Sequence, residues 1–162
     1  MNLKEIKDYE GLYSFDLNTN QVYSHIRKKY LKPRVNEFGY YRIKFTKPKI
    51  KIFTYHRIIY EAHNGTIPDK MEIDHINNDK SNNHISNLRL CSSSENSFNR
   101  KVQKNNKSGY KNIQLTKNNT YKVKISKNIK TVYSKCFKTL EEAIINRDIQ
   151  LKLIHGEFHN LG

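Results

Sequence analysis

The most informative part of this sequence is residues 72–96, which read EIDHINNDKSNNHISNLRLCSSSEN. Two short apolar runs bracket a loop rich in asparagine and aspartate. The first run ends in Asp74-His75, and the second is Leu88-Arg89-Leu90. The serines that follow are typical helix N-caps, and the helix they begin would carry Asn96. The pattern predicts a strand, a loop, a second strand and a helix.

Three residues of this stretch have the chemistry needed to hydrolyse a phosphodiester. Such a reaction needs a base for water and a cation on the phosphate oxygens and the leaving group. An imidazole titrates near neutral pH, so His75 is the candidate base, and Asp74 and the Asn96 amide offer oxygen ligands to a hard cation such as Mg²⁺. Adjacent strand residues point to opposite faces, so Asp74 and His75 are expected to converge only if the strand bends.

Charge points to a nucleic-acid partner. The chain has 162 residues with 30 Lys and Arg against 15 Asp and Glu, a formal charge of +15. Residues 1–60 and 101–162 are basic, whereas residues 61–100 are slightly acidic. Basic flanks around a carboxylate-bearing centre suit a protein that grips phosphates at both ends and holds a cation between them. Cys91 and Cys136 form no CxxC pair, which disfavours a disulfide framework or a thiolate zinc site.

The central stretch resembles the HNH motif of the His-Me-finger nucleases, in the form found in phage and intron homing endonucleases. The resemblance rests on Ile73 to Asn77, Asn82 to Arg89, and Glu95-Asn96. It implies that His75 is the general base, that Asp74 and Asn96 hold one divalent metal, and that Asn87 ties the loop and orients the motif. The products would carry 5′-phosphate and 3′-hydroxyl ends. Asn96 stands where many members have a second histidine, which favours Mg²⁺ or Mn²⁺ over Zn²⁺.

The rest of the chain predicts two flanking modules. Residues 1–55 contain short alternating runs and an Asx-type turn, and they resemble the small β module that commonly precedes this motif in homing endonucleases. Residues 56–100 begin with a short helix and form the predicted nuclease core. Residues 101–108 are polar and lack periodicity, so we predict a linker there.

Residues 109–162 predict a three-stranded antiparallel meander followed by a helix with a Thr139–Glu142 capping box. This segment resembles the ethylene-response-factor type of DNA-binding domain from plants, which reads the major groove with its sheet. The Arg and Trp residues usual in the plant domains are missing, so the target sequence cannot be transferred. Carried over by that resemblance, the candidate base readers are Lys111, Gln114, Lys122, Lys124 and Tyr133.

Other side chains are candidates for phosphate contact. Arg89 suits bidentate phosphate contact and equally suits a pair with a carboxylate. His84 is expected to be a solvated loop residue, and packing suffices to explain His56 and His63 on the first helix. In the N-terminal module the candidates for contact with the DNA backbone are Arg27, Lys28, Lys29, Arg34, Arg42 and Lys44.

These observations predict an α+β protein in which a ββα-metal HNH nuclease centre lies between an N-terminal β module and a C-terminal sheet-plus-helix domain. We expect a metal-dependent endonuclease on double-stranded DNA that nicks as a monomer, with a dimer as the alternative. The competing class is a non-catalytic DNA-binding regulator with a relic nuclease fold, and a preference for RNA is a third possibility. No stretch is long and apolar enough for a membrane span, and the charged start is unlike a signal peptide, so we expect a protein of the cytoplasm of an infected or host cell.

Overall fold

The computed structural model describes residues 1–100, 102, 106–127 and 129–158. Its contacts divide the chain into two compact units, Met1–Leu90 and Cys91–Gly162. The sequence analysis predicted the boundary further along the chain, at the linker 101–108. Residues 101 and 103–105 of that linker lie outside the described residues. Each unit has its own hydrophobic core, and the core of the first unit contains residues of both predicted modules, 1–55 and 56–100.

The first unit begins with a four-stranded antiparallel sheet, confirming the predicted β module. Its central hairpin turns where the sequence predicted an Asx turn, because the Asp16 side chain accepts from the Asn18 amide at 3.0 Å. Asn20 completes the turn with a positive φ of 52°. The strands are β1 (Leu3–Glu5), β2 (Tyr13–Asp16), β3 (Gln21–Ser24) and β4 (Lys29–Tyr30), paired in that order.

A second antiparallel sheet in the same unit leads into the first helix. It contains β5 (Arg34–Val35), β6 (Tyr41–Phe45) and β7 (Lys51–Thr54), and helix α1 (Tyr55–Asn64) follows at once. Phe45 is fully buried and stacks on Tyr13, with ring centroids 4.1 Å apart. This contact joins the two sheets through one core. Gly65 ends the helix with φ 88°, a conformation that favours glycine.

The segment after α1 has the predicted order of strand, loop, strand and helix. Strand β8 (Met71–His75) pairs with β9 (Leu88–Ser92), and α2 (Ser93–Phe98) follows. Ser92 is the N-cap of α2, and it forms a reciprocal capping box with Glu95.

The second unit forms the predicted meander and helix. Strands β10 (Ile113–Leu115), β11 (Tyr121–Lys127) and β12 (Lys130–Phe137) are antiparallel in sequence order, and α3 (Leu140–His155) covers one face. Thr139 and Glu142 form the predicted capping box. Val123 and Ile125 are buried toward α3, whereas Lys124 is exposed, as the alternation of β11 indicated.

Among the residues that the structure describes, the longest helices fall short of the length and apolarity that crossing a bilayer requires.

Candidate active site

The C-terminal end of β8 places a carboxylate and an imidazole side by side in the interior of the first unit. Asp74 is 6% exposed and His75 5% exposed, whereas the next residue, Ile76, is 43% exposed. The two side chains are buried against different neighbours, because Asp74 contacts Arg89 whereas His75 contacts His56. Adjacent residues of a strand point to opposite faces, and both faces are covered at the end of β8. The Asp74 and His75 side chains can therefore both be buried.

Arg89 binds the Asp74 carboxylate through two nitrogens. Its Nε and Nη2 both donate to Oδ2 of Asp74, at 2.9 and 2.8 Å. The Arg89 side chain is 13% exposed and the Asp74 side chain 7% exposed, so water screens this ion pair poorly. Of the two alternatives that the sequence left open for Arg89, the structure shows the carboxylate pair rather than a side chain presented to solvent.

The His75 ring is held at one nitrogen and flanked by a second imidazole. Its Nε2 lies 3.0 Å from Oδ1 of Asn83, and the Asn83 amide donates to the Ser81 carbonyl at 3.3 Å. The His56 ring packs nearly perpendicular to His75, with centroids 4.9 Å apart and an interplanar angle of 72°. Contacts from the loop and from α1 therefore fix the candidate base.

Burial keeps the flanking imidazole neutral. Desolvation, with smaller contributions from the nearby His75 and Arg57, lowers the pKa of His56 to about 3. Tyr40 lies beside both rings, 5.5 Å from His56 and 6.1 Å from His75 between centroids. The Lys80 ammonium lies 4.4 Å from the centre of the Tyr40 ring and donates to the Phe38 carbonyl. Two aromatic rings, those of His56 and Tyr40, therefore lie beside His75.

Asn87 braces the loop between the two strands. It is 8% exposed, its Oδ1 accepts from the Asn77 amide at 3.1 Å, and its Nδ2 donates to the Asn82 carbonyl at 2.8 Å. Its carbonyl accepts from the Ile76 amide at 2.9 Å, directly after the Asp-His pair. One buried amide thus satisfies backbone groups on both sides of the loop. His84 is exposed, as predicted, and its ring contacts Ser86.

The oxygen ligands proposed for a metal are a buried carboxylate and a carboxamide. Asp74 lies in the first unit, and Asn96 lies in α2 of the second unit, partly exposed. Within the described parts of the chain, no three His, Cys, Asp or Glu side chains cluster closely enough to hold a metal. A carboxylate with an amide oxygen is the donor chemistry of Mg²⁺ or Mn²⁺ rather than Zn²⁺, so the residues present fit a hard cation.

The basic candidates of the N-terminal module, residues 1–55, are all exposed. Arg27, Lys28 and Lys29 lie at the turn from β3 to β4, and Arg34, Arg42 and Lys44 lie on β5 and β6. Arg34 and Arg42 are direct partners across the two strands. Like charges directly opposite destabilise a sheet, and here both side chains are exposed to solvent.

The second unit presents only part of the predicted reading surface. Gln114, Lys122 and Lys124 alternate with core residues and share the sheet face opposite α3, which also carries Ser134 and the exposed Cys136. Two other candidates do not lie on that face.

Lys111 and Tyr133 are positioned differently from the expectation. The Lys111 ammonium donates to the backbone carbonyls of Phe98 and Arg100, and burial lowers its pKa to about 8. Tyr133 pairs with the buried Ile125 and packs against the core under α3. The resemblance did not indicate either position, because Lys111 precedes the first strand of the sheet and Tyr133 lies directly opposite the buried Ile125, on the face that packs against α3.

The segment that carries this geometry is similar to known HNH nucleases. Residues 54–98 match the family model for HNH endonuclease. This match agrees with the resemblance found in the sequence.

Relatives support this assignment. The chain is 35% identical over 94 residues to Uncharacterized HNH endonuclease L560 of Acanthamoeba polyphaga mimivirus, covering 58% of this chain and 48% of that protein. It is 44% identical over 59 residues to Protein 3.8 of Escherichia phage T7, covering 36% of this chain and 49% of that protein. The chain thus spans about half the length of these relatives.

A solved structure also matches. Described as DNA binding and cleavage by the HNH homing endonuclease I-HmuI, it is 36% identical, superposes with a TM-score of 0.52, and covers 60% of this chain and 56% of that chain. The mixed fold of small sheets and helices is therefore similar to that of an HNH homing endonuclease.

Sequence reasoning missed the residues that surround His75. Packing was taken to explain His56, and Asn83 was one of many asparagines in an Asn-rich chain. Tyr40 and Lys80 had no local signal at all. Their proximity to His75 arises because α1 and the β5–β6 turn lie against the end of β8, which no local pattern reveals.

Proposed function

We propose that this chain is a metal-dependent HNH endonuclease that hydrolyses phosphodiester bonds of double-stranded DNA to 5′-phosphate and 3′-hydroxyl ends. The observation that carries the proposal is the buried Asp74–His75 pair at the end of β8, inside the segment that matches the HNH family. A binding protein has no need of a buried carboxylate beside an imidazole, because burying either group costs free energy.

His75 is the residue proposed to accept a proton from the attacking water. Its ring is fixed by Asn83 at Nε2 and by His56 at its side, so it is preorganised and does not have to be ordered during the reaction. Asn87 contributes indirectly, because it fixes the backbone that follows the Asp-His pair.

Asp74 and Asn96 are the residues that would hold the divalent cation. When bound, Mg²⁺ or Mn²⁺ supplies positive charge for the phosphate oxygens and the departing 3′ oxygen. Arg89 limits the motion of the Asp74 carboxylate through the two donors on Oδ2.

DNA binding is proposed for two exposed basic surfaces. The first lies on the turn and strands of the N-terminal unit that carry Arg27, Lys28, Lys29, Arg34, Arg42 and Lys44. The second is the outer face of the C-terminal sheet with Gln114, Lys122 and Lys124, in the manner of an ethylene-response-factor type domain. Because the described residues contain one such centre, a monomer is proposed to nick one strand. The similarity to I-HmuI supports a homing role.

Conversion of supercoiled plasmid to open-circle and linear DNA tests the activity. The substrate carries AT-rich phage DNA, and each protein is assayed with Mg²⁺, with Mn²⁺ and with chelator. We expect metal-dependent nicking by wild type, and a loss of about 10² to 10⁴-fold in rate for His75→Ala.

The matched control is His84→Ala, since His84 is an exposed histidine of the same loop. This variant should cut at the wild-type rate. Binding of both plasmid and genomic phage DNA without cleavage under any metal would contradict the catalytic proposal and favour a DNA-binding module.

A further inference from the structure

Contacts from outside the HNH loop determine how the His75 ring is tilted. The torsion that turns an imidazole about its Cβ–Cγ bond has a broad energy profile, so the ring plane is set by neighbours rather than by the side chain itself. The Asn83 contact fixes the position of one ring nitrogen. The perpendicular packing of His56, at 72°, restrains the tilt of the ring because edge-to-face contacts favour one relative orientation.

The position of the His56 ring is restrained by its surroundings. It lies in the first turn of α1, 7% exposed, and its helix is anchored in the core through Ile58 and Ile59. Tyr40, which lies directly before β6, packs against the His56 ring. His56 is therefore restrained on a second side. Burial holds the pKa of His56 near 3, and a neutral ring does not repel His75 when His75 carries a proton.

We propose that His56 is a positioning residue for His75, whose buried ring sets the tilt of the imidazole that accepts the proton. This rests on the proposed function, and it adds to the centre a residue of α1 that neither binds the cation nor touches the substrate. The proposed role depends on the flat aromatic ring of His56. It therefore differs from a role in which a ring nitrogen forms a hydrogen bond, and from a role in which His56 only packs α1 against the core.

Two substitutions distinguish these roles. His56→Ala removes the aromatic ring, whereas His56→Phe keeps a flat ring that has no nitrogen. His63→Ala is the control on the same helix, because the exposed His63 contacts Asn20 rather than His75. We expect His56→Ala to lower kcat by about 10 to 100-fold with KM and DNA affinity in chelator nearly unchanged. His56→Phe should recover most of kcat, and His63→Ala should match wild type.

A readout without catalysis keeps the inference testable if the protein proves inactive. In crystal structures of the variants, the torsion of the His75 imidazole about its Cβ–Cγ bond should differ from wild type in His56→Ala and return toward the wild-type value in His56→Phe. An unchanged His75 torsion in His56→Ala would overturn the inference whether or not the protein cuts DNA. A phenylalanine variant as slow as the alanine variant would also overturn it, as would an equal fall in DNA affinity.

Failure of the proposed function has a different signature. In that case wild type and His75→Ala would show the same absence of cleavage, while a changed torsion of the His75 ring on removal of the His56 ring would still support the positioning role.

Discussion

Replacing Arg89 by methionine would remove the positive partner of a buried carboxylate while keeping a side chain of comparable length. Arg89 donates twice to Oδ2 of Asp74, at 2.9 and 2.8 Å, and the two side chains are only 13% and 7% exposed. Removing one member of such a pair leaves an uncompensated charge in a poorly solvated site. We therefore expect Arg89→Met to lower the free energy of unfolding by about 3 kcal/mol, the lower end of the cost for breaking a buried ion pair.

A double-mutant cycle measures this coupling. Wild type, Arg89→Met, Asp74→Asn and the double variant are unfolded in urea with chelator present, and the transition is followed by circular dichroism. Because the carboxylate is neutralised in the double variant, its stability should exceed that expected from adding the two single losses. Arg89→Lys, which keeps the charge but loses the two-nitrogen contact, should lie between wild type and Arg89→Met. A loss below about 1 kcal/mol for Arg89→Met, or strict additivity, would refute the reasoning.

Three further predictions concern groups elsewhere in the chain. The pKa of His56 is about 3 in the folded protein against 6.5 for the free side chain, so the unfolded state takes up a proton first as the pH falls. The contribution of His56 to the free energy of unfolding is therefore fully present above pH 6.5 and is lost as the pH falls toward 3. The loss between pH 7 and pH 5 is at most about 2 kcal/mol, and His56→Phe should remove this pH dependence in urea titrations. Asn87→Ala should lower the free energy of unfolding by about 2 to 3 kcal/mol because three loop hydrogen bonds are lost, whereas the exposed Asn82→Ala should change it by less than about 0.5 kcal/mol. Bound DNA should slow maleimide modification of the exposed Cys136 at low salt and cease to do so at high salt, while the buried Cys91 stays unmodified throughout; equal rates with and without DNA would contradict DNA binding by the outer face of that sheet.

The sequence by itself determined the order of the elements and the chemistry at the centre. The strand–loop–strand–helix order followed from apolar runs, an Asn-rich loop and the serine cap, all of which act between residues close in the chain. The meander and α3 followed in the same way from alternation and from the Thr139 capping box. The HNH family was likewise evident, because its motif is a local string.

Tertiary structure alone decided which residues surround His75 and which charges pair. His56, Tyr40 and Asn83 reach the imidazole from different elements, and Arg89 contacts Asp74 across a 15-residue separation. Lys111 and Tyr133 were predicted to read DNA, yet one caps backbone carbonyls and the other packs on the core. Local patterns fix backbone conformation, whereas side-chain partners depend on how elements that are distant in sequence pack together, since strand pairing and packing decide which face of a sheet meets the core.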